Sequence, residues 1–199
     1  NDVEELQAYL GPRQEGQRVI AMPGTGTNVP IWLLGSSLFS AQLAGQLGLP
    51  FSFARQFSPA NTLPALDLYR RAFRPSEVLS QPYAMVGINV VAAETDEEAR
   101  RLFTSHQQSF LNLVRGHPMR IAPPVEDMDQ LWSERERAAV ESQLRGSIVG
   151  SPETVRSGLE ALLEDTAADE IMVSGMVLDH AARLRSYEIV ADAFGNLRS

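Results

Sequence analysis

Two residue types are missing from the 199-residue chain, and each absence removes a class of chemistry. Without cysteine there can be no disulfide, no thiolate metal site and no cysteine nucleophile. Lysine is absent too, so all 17 cationic side chains are arginine, and a Schiff-base lysine or a P-loop lysine is excluded. The three histidines, His106, His117 and His180, show no metal-ligand spacing, so no metal is expected. No apolar run is long enough to span a bilayer, so no membrane association is expected and the cytoplasm is the default location. Positive charge is also scarce: 25 acidic residues against 17 basic ones give a net charge of -8. Nucleic-acid binding needs clustered cations to neutralise phosphates, so no nucleic-acid partner is expected. The small cluster Arg70, Arg71 and Arg74 reads as a solvated helix face.

What is present is an ordinary globular composition, 44% hydrophobic and 21% charged, which predicts one domain over residues 1–199 with a real core. The chain opens Asn1-Asp2 and enters helical sequence at once through Val3, Leu6 and Leu10, which raises the expectation of a segment from a longer protein. Asp2 to Leu10 reads as a capped helix stopped by Gly11-Pro12. Val19 to Met22 is a candidate short strand in a loop rich in Gly, Pro and Thr. Strands are then predicted over Ile31–Leu34, Phe51–Ala54, Met85–Val91 and Glu170–Val173. Helices are predicted over Phe39–Leu47, Leu63–Phe73, Thr95–Val114, Leu131–Leu144, from Ser151-Pro152-Glu153 onward, and from Asp179 or His180 to Phe194. A Pro-rich insertion, Gly116 to Asp127, interrupts the series.

Short, uniformly apolar strands alternating with helices predict parallel βα units with both sheet faces covered. A complete (β/α)8 barrel takes about 250 residues. Four units in 199 residues therefore read as half of such a barrel, an α/β fold of the TIM-barrel type with open strand edges.

One stretch concentrates candidate chemistry. In WLLGSSLFSA, Trp32 to Ala41, an apolar run stops at Gly35 and is followed by Ser36, Ser37 and Ser40, where a helix begins. Orphan N–H groups at a helix start attract anions, and hydroxyls add donors. Taken alone, the residues are better explained by plain helix capping than by an anion site.

Five segments in order, WLLGSSLFSAQLAGQLGLPFSFA, ALDLYRRAFRPS, PYAMVGINVVAAETDEEARRL, GSPETVRSGLEALL and ADEIMV…DHAARLRSYEI, resemble the bacterial luciferase-like flavin-dependent monooxygenases. The resemblance runs from Val3 to Phe194 and implies units five to eight of their (β/α)8 barrel, the C-terminal portion. It implies reduced FMN, delivered by a flavin reductase, and O2 as co-reactants for oxidising a small organic molecule. Deazaflavin-dependent hydride-transfer enzymes share that barrel and are the alternative within the enzymes. A truncated barrel that binds flavin or dimerises without catalysis is the alternative outside them. Either a second copy or the missing N-terminal half would cover the open edges.

The resemblance assigns Ser37 and Ser40, with Ser36 and Gly35, to the flavin phosphate. The start of GSPETV, Gly150 to Val155, is a rival phosphate site. Gln56, in Arg55-Gln56-Phe57, stands where many relatives carry histidine, and a glutamine can orient a group but not transfer a proton. Gln56 and His180 are the candidate catalytic residues, with helix capping by Asp179 as the simpler reading of the Asp179-His180 pair. Asn89 is placed either in the barrel interior or at an edge, and Met172, Met176 and Trp132 are expected in the core.

Overall fold

The computed structural model describes residues 2–195; Asn1 and residues 196–199 of the expected single-domain span lie outside the described residues. In chain order the elements are α1 (Asp2–Leu10), β1 (Leu33–Gly35), α2 (Leu38–Leu47), β2 (Phe51–Ala54), α3 (Thr62–Ala72), β3 (Ala84–Ala92), α4 (Asp96–Val114), α5 (Glu134–Leu144), β4 (Ile148–Gly150), α6 (Pro152–Thr166), β5 (Glu170–Ser174) and α7 (His180–Gly195). The helix starts follow the hydroxyl caps in the sequence. Thr95 accepts from the Glu98 N–H, Ser133 and Glu136 form a reciprocal capping box, and Ser151 precedes Pro152 at the first helical position.

Every strand pairing is parallel. β1, β2, β3 and β5 lie side by side in the expected order, with Leu33 opposite Phe51, Phe51 opposite Ala84, and Met85 opposite Glu170. Parallel neighbours need long crossovers, and the helices supply them. β3 is long enough to serve two partners: Met85 to Asn89 pair with β5, and Val90 to Ala92 pair with β4.

Three strand expectations need correction. β1 starts at Leu33 and not at Ile31, because Leu33 is the first residue whose N–H finds the neighbouring strand, at Pro50 O 3.0 Å away. Val19 to Met22 forms no strand; its backbone turns instead, with the Thr25 N–H bonding Ala21 O at 2.7 Å. β4 was not expected at all, since three residues are too few to show a periodicity.

The two faces of the sheet differ. Phe51, Phe53, Val86, Ile88 and Val90 point to the outer face and pack against Ala44, Leu66, Tyr69, Leu159 and Ile189 of the surrounding helices. The Tyr69 hydroxyl, buried in that layer, donates to Leu49 O at 2.9 Å and accepts from the Tyr83 N–H at 3.1 Å. Alternate residues form the inner face. Near its carboxyl end Val91 and Ala93 are covered by Ala99 and Leu102 of α4 and by Val177. Lower down, Leu34 is 69% exposed and Met172 56% exposed. The expectation of a first strand buried on both faces is therefore wrong for Leu34: its outward neighbour Leu33 packs on the core, while Leu34 looks into the open side of the sheet. Met172 and Met176 are likewise exposed and not core, and Trp132 is half-buried with its indole N–H on Asp129 Oδ1 at 2.8 Å.

Arg70 also departs from its expected role. Its guanidinium donates to Thr166 O and Ala167 O at 2.6 and 2.8 Å, satisfying carbonyls at the end of α6, and so it is not simply solvated. Among the described residues no helix is long and apolar enough to cross a membrane.

Candidate functional site at the carboxyl ends of the strands

Parallel βα sheets form their sites where the strands end and the helices begin. At the end of β1, Gly35 leads through Ser36 into α2, whose N-cap is Ser37. A Cβ on Gly35 would land on the Ser40 Oγ and Cβ atoms, so only glycine lets the strand end lie this close to the first helical turn. The Ser37 and Ser40 hydroxyls are 3.3 Å apart. Ser37 Oγ accepts the Ser40 N–H at 3.3 Å, and Ser40 Oγ donates to Ser37 O at 2.8 Å. With the Ser40 hydrogen on Ser37 O, the Ser37 hydroxyl is the donor in the contact between the two oxygens. The backbone N–H groups of Leu38 and Phe39 open the helix with no protein acceptor, as first-turn donors do.

The rival site at the start of α6 is built differently. Its donors are already taken by a carboxylate: the Ser151 N–H reaches Asp96 Oδ1 at 2.6 Å and the Thr154 hydroxyl reaches the same oxygen at 2.8 Å. These bonds, led by that from the Ser151 backbone, hold the Asp96 carboxyl below its ordinary value, so it stays ionised. One helix start carries its own anion; the other has no acidic residue in its first turn.

Next to the serine loop, β2 ends in Ala54 and turns through Arg55, Gln56 and Phe57. Gln56 folds back over β3 at Gly87, where an added Cβ would meet Gln56 Oε1 at 2.6 Å. That oxygen is buried and has no hydrogen-bond partner. The turn is held from above by α5: Gln143 Nε2 donates to Phe57 O at 2.9 Å and to Gln56 O at 3.4 Å, and the Arg55 guanidinium donates to Gly146 O. Desolvation lowers the Arg55 pKa, although it remains a cation. Sequence reasoning missed Gly87 and Gln143. Gly87 had a signal, an isolated glycine inside an otherwise β-rich run, which marks a close approach; Gln143 had none.

Asn89 resolves to the inner face, buried, with the Ser174 hydroxyl donating to its Oδ1 at 2.9 Å. Asp179 and His180 are exposed: Asp179 Oδ1 accepts the Ala182 N–H at 2.8 Å as a cap, and His180 Nδ1 lies 2.8 Å from an Arg183 guanidinium nitrogen. The structure therefore brings together Gly35, Ser36, Ser37 and Ser40, sets Gln56 one strand away, and places His180 at the surface beyond β5. His117 is exposed in the Pro-rich loop, and His106 is buried within α4. Among the described residues no three His, Cys, Asp or Glu side chains come together as a metal site requires.

Parallel βα units flanked by helices define a barrel-type α/β protein, with the candidate loop at the carboxyl ends of its strands. The chain belongs to the luciferase-like monooxygenase family, whose model matches residues 4–170. It is 57% identical over 195 residues to YvbT of Bacillus subtilis (strain 168), and 50% identical over 191 residues to a luciferase-like monooxygenase of Escherichia coli (strain K12). Those matches take in 98% and 96% of this chain but only 58% and 57% of the relatives' length. The crystal structure of apo-MsnO8 superposes with a TM-score of 0.76 at 32% identity, over 97% of this chain and 58% of that one. At lower identity the fold recurs in the oxygenating constituent of 3,6-diketocamphane monooxygenase from Pseudomonas putida, solved with FMN (19% identity, TM-score 0.51, 85% of this chain and 48% of that one). It recurs again in the coenzyme F420-dependent tetrahydromethanopterin reductase of Methanopyrus kandleri (15%, 0.55, 96% and 60%).

Proposed function

We propose that the chain is the C-terminal portion, units five to eight, of a flavin-dependent monooxygenase that oxidises a small organic substrate with FMNH2 and O2. The observation that carries this reading is the contrast between the two helix starts. The start of α6 is neutralised internally by Asp96, whereas that of α2 presents unanswered N–H groups, two adjacent hydroxyls and a glycine floor. A phosphate dianion fits the second arrangement on charge, since the helix dipole and charge-assisted donors act on the same point. Ser37 and Ser40 would rotate their hydroxyls out of the local bonds they make to each other and to Ser37 O and donate them to the phosphate, Ser36 to Phe39 would donate their N–H groups, and Gly35 would leave room for the phosphate to come close.

Reduced flavin supplies the electrons for O2 activation, so this chain needs no cysteine or lysine nucleophile. Its own residues bind the phosphate, orient the ring and keep water from the reacting end. Neither candidate catalytic residue performs proton transfer in this reading: Gln56 has no titratable group, and His180 is turned to solvent beside Arg183. A separate reductase would deliver the reduced cofactor, in the cytoplasm. The rest of the barrel, or a second copy, would cover Leu34 and Met172.

Affinity measurements on the full-length protein test the reading. Ser37→Ala and Ser40→Ala should each weaken FMN by about ten- to a hundredfold, the value of a hydroxyl bonded to a charged group. Riboflavin, which lacks the phosphate, should be unaffected, and Ser151→Ala should change neither ligand. Equal loss of FMN and riboflavin in the serine-loop variants would leave those serines as helix caps. A selective loss in Ser151→Ala would move the phosphate to α6. Turnover with a deazaflavin and none with FMNH2 would replace the monooxygenase by hydride transfer, and flavin binding without turnover would make the chain a binding protein.

A further inference from the structure

Gln56 carries a feature that the phosphate loop does not explain. Its Oε1 is buried without a partner, in a turn that three hydrogen bonds from Gln143 and Arg55 fix in place. A buried acceptor left unpaired destabilises a protein, and native folds retain few of them. The oxygen lies on the inner face against Gly87, where the missing Cβ is what gives the carboxamide its seat. Neighbouring strands are about 4.8 Å apart, so this seat is one to two strand spacings from the serine loop along the same rim. A ligand whose phosphate sits in that loop carries its ring system along the rim, and the edge of a flavin ring offers one imide N–H as donor.

We infer that Gln56 is a flavin-reading residue: its Oε1 accepts the ring imide N–H, Gly87 provides the space, and two positioning residues hold the turn, Gln143 from α5 and Arg55 from within it through Gly146 O just past α5. The inference rests on the flavin reading above. It also accounts for a glutamine here, since an acceptor that never changes protonation state reads the N–H equally at every working pH.

The test uses the full-length protein and two ligands, FMN and its N3-methylated analogue, which lacks that donor. The wild type should prefer FMN by about tenfold, the worth of one hydrogen bond with its unpaired penalty. Gln56→Met, nearly isosteric but without the acceptor, should bring the two ligands within about twofold by weakening FMN alone, as in a double-mutant cycle. Gly87→Ala, which displaces the carboxamide without removing it, should shrink the preference as well. In the flavin-free protein Gln56→Met should raise the thermal midpoint, because it removes an unpaired oxygen. A fall in that midpoint with the preference intact would overturn the inference and assign the donor to another part of the protein. An unchanged preference in Gln56→Met overturns it too, while the Ser37 and Ser40 selectivity for FMN leaves the phosphate reading standing. Absence of any FMN binding by the wild type would sink both.

Discussion

The two faces of one sheet behave as if they came from different proteins. The outer face of β2 and β3 is closed: Phe51, Phe53, Val86, Ile88 and Val90 are at most 1% exposed beneath four helices. The inner face, made by the residues in between, is covered at its carboxyl end by α4 and Val177 and buries Ser52, Ala54 and Asn89, but leaves Leu34 and Met172 largely in water. Strand alternation creates both faces from the same few residues, so the difference lies in what has been placed against them. The outer layer is complete within this chain. The inner layer is open in this chain, which covers 58% and 57% of the length of the two relatives named above.

Point mutations should register that asymmetry most strongly. Phe53→Ala should cost about 3–5 kcal/mol in urea unfolding, as removal of a fully packed aromatic does, while Leu34→Ser should stay within about 0.5 kcal/mol. Equal costs would mean that the inner face is buried against a second copy, which light scattering would reveal.

A smaller effect probes the covered end of the inner side. His106, buried in α4 between the rings of Phe103 and Phe110, has its pKa lowered to about 4 by desolvation. The unfolded chain binds that proton near pH 6.5, so folding excludes it, and stability falls as pH drops from about 6.5 to 4. The full effect is about 3 kcal/mol. His106→Phe should flatten this part of the pH–stability curve; an unchanged slope would mean that another group sets it.

The smallest effect belongs to the outer layer. Ala167 ends α6 at φ 45°, the left-handed region, with its carbonyl on Arg70. Ala167→Gly should therefore stabilise the protein by about 1 kcal/mol. A loss of stability there would show that Ala167 is held by contacts other than its backbone.

Much of the outer layer was legible in the sequence, because apolar runs bounded by glycine, proline and hydroxyl caps mark parallel strands and helix starts directly. Phe51–Ala54 matches β2 residue for residue. The errors fall where a residue's role is decided by a distant partner. Ile31 has the composition of a strand residue, but no neighbouring backbone pairs with it. Ile148 and Val149 read as a lead-in to a helix cap until β3 is found beside them. The candidate site was half legible: Gly35 to Ser40 are close in sequence and read as a strand end running into a capped helix, whereas Gln56 meets its seat 31 positions later at Gly87 and its brace 87 positions later at Gln143. Asp96 illustrates the same limit, since an acid in a first helical turn looks local and here serves a second helix.

That carboxylate also sets how the chain is threaded. Asp96 and Ser151 are 55 positions apart yet share a hydrogen bond, and the Ala93 N–H bonds Gly150 O beside them at 3.2 Å. Between β3 and β4 the chain runs through α4, whose first turns pack on the sheet, then out through the Pro-rich segment and α5 before it returns at the same root. Such an excursion is a cassette: its ends already meet, so its length can change with little strain on β3 or β4. Each doubling of a flexible closed loop costs only about 0.6 kcal/mol. Shortening the Pro-rich segment and α5 while keeping the first turns of α4 would leave the strands where they are but would remove the α5 brace from Gln56. Variation in this insert would retune the mouth of the barrel without rebuilding its wall, provided the aspartate at the root stays.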